Sequence, residues 1–235
     1  MDSRLFTQTI QTEKKPGQSL PQQVELLGYP PLFKACFELL QLAGVNYFAL
    51  FGGAVRDADY AVRHGGISCA IKDYDFRIWL PNTEYEKQLN NIIQRIELIT
   101  GTTIKEVASL GTERLRHSFI HHGIEWDISF RPIPQSMQTP IPIEAVAIDR
   151  ASDSDIGLCS VAIDPNGKVW ARPEYLFDQK YKTLTVFSSQ DIERIKAYTK
   201  RMQEKFPNHK LIWQENSHPL LDDKTIQSNI NILRP

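Results

Sequence analysis

The sequence predicts an α+β chain in which helices pack against a mixed β-sheet as a single compact domain. Three observations lead there. Tyr47 to Leu80 reads as a buried strand, a glycine pair, a short helix, a loop and a second strand. Apolar residues recur at helical spacing on either side of that stretch, in 31–44 and in 84–100. Finally, alternating runs separated by turn signals fill 102–131 and 158–171, the pattern of hairpins rather than of further helices.

The elements follow in order. Residues 1–25 are polar and read as an N-terminal arm; 26–187 make the domain; 188–235 supply a C-terminal helix and tail. Pro31 opens a helix with Phe33, Cys36, Phe37, Leu39 and Leu40 on its apolar face, and Gly44 closes it. Tyr47–Phe51 is the first strand. Gly52 and Gly53 then give a turn in which a bare backbone can approach a ligand, and Ala54–Arg63 forms about two to three helical turns. Asp73 and Asp75 begin the next strand. Pro81, Asn82 and Thr83 make a turn and N-cap for a helix over Glu84–Thr100, stopped by Gly101. Strands are predicted at Thr102–Val107, Leu115–His121 and Ile124–Arg131, the last two joined at His122-Gly123.

Residues 132–157 are rich in Pro, Ser and Asp, and only a turn of helix or strand at Ile143–Ile148 interrupts the predicted irregular run. A hairpin follows, Leu158–Ile163 and Lys168–Ala171 around Asp164-Pro165-Asn166-Gly167. Pro173–Tyr181 reads as a helix and Thr183–Phe187 as a strand. Ser188 and Asp191 form a capping box for a helix over Ser189–Phe206, striped by Ile192, Ile195, Tyr198, Met202 and Phe206. The last thirty or so residues read as a polar, wrapping tail.

The chemistry sits in the 47–80 stretch. A helix N-terminus behind a glycine turn offers backbone N–H groups to an anion, and a phosphate is the natural guest. On a strand, residues i and i+2 face the same side, so Asp73 and Asp75 project together while Tyr74 and Phe76 face away. Two adjacent carboxylates repel unless a cation lies between them, and Mg²⁺ suits a carboxylate pair shared with substrate phosphates. A phosphate cradle beside a cation-binding pair is the logic of phosphoryl or nucleotidyl transfer.

Gly52-Gly53-Ala54-Val55-Arg56-Asp57 followed by Asp73-Tyr74-Asp75 resembles the head domain of the DNA polymerase beta-like nucleotidyltransferases. The branch in question holds the CCA-adding tRNA nucleotidyltransferases and bacterial poly(A) polymerases. The loop between the two motifs is a few residues longer than usual. The resemblance implies a nucleotidyltransferase-like fold, two Mg²⁺ ions (or Mn²⁺), and an NTP such as ATP as substrate. It implies that Asp73 and Asp75 are catalytic metal ligands and that a third carboxylate lies on a neighbouring strand. Asp127, in Trp126-Asp127-Ile128 with Arg131 behind it, fits that third place, with Glu125 as the alternate. Gly52 and Gly53 would cradle the nucleotide phosphates. Arg56 would neutralise phosphate charge, with Asp57 beside it or as the partner that orients it.

The resemblance covers roughly 30–200 and weakens after 131. Around 153–162 the relatives carry an Arg-Asp-Phe-Thr-Ile-Asn-Ala segment that helps hold the triphosphate; only Asp155 and the small apolar ending survive here. Asp191, Arg194 and Ile195 echo an Asp-x-x-Arg-Ile helix of the relatives. The helical neck and body with which those enzymes grip RNA are not expected. Candidate acceptors are therefore a tRNA or other RNA 3′ end, a protein side chain or a small hydroxylated molecule. A catalytically inactive relative that binds nucleotide, RNA or a protein partner is the alternative.

Bulk properties narrow the classes further. A formal net charge of −1 over 235 residues argues against a chain dominated by nucleic-acid binding, so RNA contact is expected to be local. Cys36, Cys69 and Cys159 are widely spaced and match no metal-ligand pattern. No apolar run reaches the ~18 residues of a membrane span, and a signal-peptide core is lacking near Met1. The expectation is a cytoplasmic protein with no membrane partner.

Overall fold

The computed structural model describes residues 19–26, 31–64, 71–107, 116–135, 137, 140–187 and 192–213. The fold is the expected mixed α+β arrangement, with six α-helices and ten strands among these residues. The strands are β1 (Gln22–Val24), β2 (Phe48–Phe51), β3 (Asp73–Leu80), β4 (Lys105–Val107), β5 (Arg116–His121), β6 (Ile124–Pro132), β7 (Val161–Ile163), β8 (Val169–Ala171), β9 (Thr183–Val186) and β10 (Lys210–Trp213). The helices are α1 (Pro31–Leu42), α2 (Gly53–Arg63), α3 (Tyr85–Thr100), α4 (Ala145–Ser152), α5 (Pro173–Tyr181) and α6 (Ile192–Lys205).

Eight strands make one sheet in the order β1-β8-β7-β2-β3-β6-β5-β4. Every neighbouring pair is antiparallel except β3 and β6. A parallel pair needs a crossover, and the chain from β3 to β6 makes one that includes α3. The hairpin between β5 and β6 turns at His122 and Gly123, which have φ of 50° and 76° as an Asn-Gly-type turn would. In the β7–β8 hairpin the Asp164 carboxylate accepts from the backbone N–H of Asn166 and Lys168, at 2.8 and 3.0 Å. That is the local hydrogen bonding for which Asp is favoured in turns.

One face of the sheet carries the main core. Phe48, Leu50, Tyr74, Phe76, Ile78, Trp126, Ile128 and Phe130 are buried there with Phe33, Phe37 and Leu40 of α1 and Leu89, Ile92 and Ile96 of α3. On the other face α4 lays Ala145, Val146, Ala147 and Ile148 over Ala49, Trp79, Ala162 and Trp170. The small residues of α4 let it lie close, leaving the Asp73 end of that face uncovered. A third cluster joins Ile156, Leu158 and Leu184 to Met202 of α6 and Phe206 just after it.

Several features differ from the sequence reading. β1 pairs with β8 inside the expected N-terminal arm, and Gly157–Cys159 is a 3-10 turn rather than the start of a hairpin strand. Helix α4 is longer than the turn of helix or strand expected at 143–148. Ala145, Val146, Ala147 and Ile148 are all buried in succession, so no 3.6-residue stripe marks them. Lys210–Trp213 forms β10, parallel to β9 through the α6 crossover, rather than part of a tail; its four residues carry no periodicity of their own. Helix α3 is preceded not by a Thr83 cap but by Glu84, whose φ is 57° and which makes no side-chain cap hydrogen bond. The Ser188–Asp191 capping box lies outside the described residues. Among those residues no helix is long and apolar enough to cross a membrane.

The third cluster contains a pH-sensitive residue. His209 is buried against Phe206 and Tyr60, with ring centroids 5.0 and 5.5 Å away. Neither of its ring nitrogens has a partner among the described residues. Burial, then the nearby His64 and Lys182, lower its pKa to about 4. A base lowered on folding binds fewer protons folded than unfolded, so its contribution is intact above pH ~6.5 and is lost as pH falls toward 4. Half-buried Asp75 and buried Asp178, each raised to about 6, titrate with the opposite sign in the same window, so the comparison must be with a variant. Between pH 7 and 4, denaturant melts should show wild type losing about 3 kcal/mol relative to His209→Phe. A constant difference across that range would rule out this account of His209.

Candidate functional site

The site begins where β2 ends. Gly52 has φ 73° and ψ −129°, a conformation that a Cβ would strain, and this lets the chain turn from strand directly into α2. Its N–H donates to the Val161 carbonyl at 3.4 Å, and its carbonyl accepts from Arg56 N–H at 3.1 Å. Neighbouring groups lie at ordinary contact distance from the two glycines. A Cβ on Gly52 would lie 3.4 Å from Asp75 Oδ2, and one on Gly53 would lie 4.0 Å from Asp73 Oδ1. The β2–β3 pairing aligns Phe51 with Asp75, so the glycines follow at the level of the acidic pair. The structure thus brings Gly52, Gly53, Asp73 and Asp75 together.

Asp127 arrives through the parallel pairing. The β3–β6 register sets Asp75 opposite Asp127 and Asp73 opposite Glu125. Asp127 is buried, whereas Glu125 is exposed near the start of β6. Both Asp127 oxygens are engaged by Arg116 of β5: Nε donates to Oδ1 at 2.6 Å, and Nη2 contacts Oδ2. Asp75 is raised to about 6, chiefly by burial and by the neighbouring Asp73 charge, and Arg116, Arg150 and Arg56 pull it back. Among the described residues no three His, Cys, Asp or Glu side chains gather into a ready cage for a metal ion. The donor chemistry nonetheless suits a hard divalent cation. Asp73 and Asp75 offer adjacent oxygens in need of positive charge, and Asp127 on the next strand is already neutralised by a cationic side chain.

Arg56 and Asp57 sit deeper. Arg56, 4% exposed, donates from Nε to Asp57 Oδ1 at 2.7 Å. Its Nη1 lies 3.1 Å from Cys159 Sγ and 3.4 Å from Met202 Sδ, and the guanidinium is 5.2 Å from the Phe206 ring centre. Asp57 also pairs with Lys205. The structure therefore gives Asp57 the orienting contact to Arg56, and together with Lys205 the pair ties α2 to α6 beneath the site. Lys72 is exposed and lies just before β3.

In front of the glycine turn lies a cavity of about 580 Å³, lined by Phe51, Gly52, Gly53 and Asp75 on one side. Arg150, Asp153, Ser154 and Asp155 line it from the end of α4 and the segment after it, and Arg194, Tyr198 and Arg201 from α6. Arg150 donates to Asp153 at 2.7 Å and lies 4.1 Å from the Phe51 ring centre. Arg194 pairs with Asp155 at 3.1 Å, and Arg201 lies 4.9 Å from the Tyr198 ring centre. Arginines around such a space can meet the oxygens of a polyanion in pairs. The sequence reading named Arg194 within an Asp-x-x-Arg-Ile segment and passed over Arg150. Ile148-Asp149-Arg150 shows no motif, and only recognition of α4 would have drawn attention to it.

No family model and no curated protein matches this sequence. Among solved structures, the crystal structure of Bacillus stearothermophilus CCA-adding enzyme in complex with CTP is similar over 67% of this chain, at 16% identity and a TM-score of 0.38. The match covers 34% of that chain, so the present chain spans about a third of its length.

The raised Asp75 carboxyl makes a stability prediction. An acid raised on folding binds more protons folded than unfolded, so its penalty grows as pH rises from about 4 to 6 and is fully present above. Asp75→Asn removes that charge. At pH 7 the variant should be more stable than wild type by about 2 kcal/mol, raising Tm by several degrees, and the gain should vanish near pH 4. A Tm that falls at pH 7 would show that Asp75 is not held at a cost.

Proposed function

We propose that this chain is a Mg²⁺- or Mn²⁺-dependent nucleotidyltransferase that moves a nucleoside monophosphate from an NTP to an acceptor hydroxyl. The observation that carries the reading is one juxtaposition. The Asp73 and Asp75 carboxylates lie against the Gly52-Gly53 turn, at the edge of a cavity lined by Arg150, Arg194 and Arg201. Acidic groups for a cation and basic groups for phosphates meet where a helix N-terminus opens.

In this reading Asp73, Asp75 and Asp127 hold two divalent ions, which would supply charge stabilisation on the triphosphate and a more acidic acceptor hydroxyl. The α2 N-terminus behind Gly52 and Gly53 receives phosphate oxygens. Arg150, Arg194 and Arg201 draw the triphosphate into the cavity and balance its charge. Arg56, held by Asp57, keeps the first turn of α2 in place and adds positive charge behind the glycines. The acceptor is an RNA 3′ end, tRNA included, a protein side chain or a small hydroxylated molecule.

One observation favours a second reading, a nucleotide-binding relative without transferase activity. Arg116 occupies both oxygens of Asp127, so the three carboxylates do not gather as they stand. The two readings separate in one assay. Each α-labelled NTP is incubated with Mg²⁺, the protein and cell extract, and the fractions are searched for labelled RNA, protein or small molecules. Transfer should appear with wild type and fall at least about 1,000-fold in Asp73→Asn/Asp75→Asn, as loss of a whole metal site implies. Label persisting in the double variant would overturn the assignment. Nucleotide binding without label in any fraction would select the second reading.

A further inference from the structure

Arg116 and Asp127 form a cross-strand ion pair beside the acidic site. Arg116 lies at the start of β5, diagonally across from Asp127, because the antiparallel register sets Arg116 opposite Ser129 and Asp127 opposite Ser118. Its guanidinium grips Asp127 through both Nε and Nη2, the two-pronged geometry that Arg makes with carboxylates. The two partners differ in exposure: the Arg116 side chain is 52% exposed and that of Asp127 is 11% exposed. The cation thus covers the carboxylate from the solvent side. Its charge also reaches Asp75, the register partner of Asp127 on β3.

We infer that Arg116 is the built-in counter-ion of the acidic site, neutralising Asp127 while no divalent cation is bound and releasing it when one binds. This rests on the nucleotidyl-transfer reading of Asp73, Asp75 and Asp127. The exclusion is physical. Both Asp127 oxygens are in use, and a divalent ion at coordination distance from them would meet a guanidinium within a few ångströms. Release is eased because half of the Arg116 side chain is already in water, where the freed guanidinium is solvated, while the incoming cation takes over the Asp127 charge. Arg116 therefore lowers cation affinity without blocking the site, and the site is kept from holding two or three unbalanced carboxylates between turnovers. A purely structural cross-strand pair, pinning β5 to β6, would leave cation affinity untouched.

The test is binding of Mn²⁺ alone, without nucleotide, to the full chain by calorimetry and by electron paramagnetic resonance of the free ion. Wild type, Arg116→Gln, Arg116→Lys and Asp73→Asn/Asp75→Asn are compared, with Tm recorded for each. Arg116→Gln should bind Mn²⁺ about 3- to 10-fold more tightly than wild type. Arg116→Lys, which keeps the charge but loses the fork, should gain less. Unchanged affinity in both Arg116 variants, with Tm lowered, overturns the inference and leaves the proposed function standing. Mn²⁺ binding that survives undiminished in Asp73→Asn/Asp75→Asn overturns the proposed function itself. Failure of every variant and of wild type to bind Mn²⁺ overturns both.

Discussion

The parallel pairing of β3 with β6 is the constraint on which the rest depends. Strand side chains alternate with period two, so a slip of one residue would send Asp127 to the opposite face from Asp75. What prevents the slip lies on the other side of the sheet. Tyr74 and Trp126, Phe76 and Ile128, and Ile78 and Phe130 are register partners, and all six are buried in the main core. Phe76 and Trp126 stack with ring centroids 5.2 Å apart. The hydrophobic effect on one face thereby positions carboxylates on the other. No acidic residue contributes to that choice, and mutual repulsion of Asp73, Asp75 and Asp127 opposes it.

That repulsion is managed locally. Asp127 is paired with Arg116, Asp57 with Arg56 and Lys205, Asp155 with Arg194, and Asp153 with Arg150. Buried charges persist when paired. Asp75 is the exception: burial and its neighbour raise its pKa, and arginines only partly offset them. In the proposed function, binding of a cation and a triphosphate would complete that charge pattern. A near-neutral chain thus contains a strongly polarised pocket, which a net charge of −1 conceals.

Much of this was legible in order along the chain. Gly52 and Gly53 announced a turn because L side chains do not adopt such backbone angles readily, and Gly52 has them. The i, i+2 spacing placed Asp73 and Asp75 on one face, and His122-Gly123 marked a hairpin that forms there. Alternation could not separate Asp127 from Glu125, since both lie on the same face of one strand; register sets Asp127 opposite Asp75 and Glu125 opposite Asp73. Helix α4 was read only as a turn of helix or strand at 143–148, and Arg150, beyond that turn, escaped.

The sequence by itself determined the local pieces: a strand that runs into a glycine turn, a helix behind it, and two carboxylates side by side. Each depends on backbone freedom or side-chain spacing within a few residues. Tertiary structure alone decided which distant groups meet those pieces. Asp127 comes from 52 residues beyond Asp75 through strand register, Arg116 through the neighbouring hairpin, and Arg150, Arg194 and Arg201 through the packing of α4 and α6. Those meetings follow from which apolar faces bury against one another, a property of the whole core that no short stretch of chain contains.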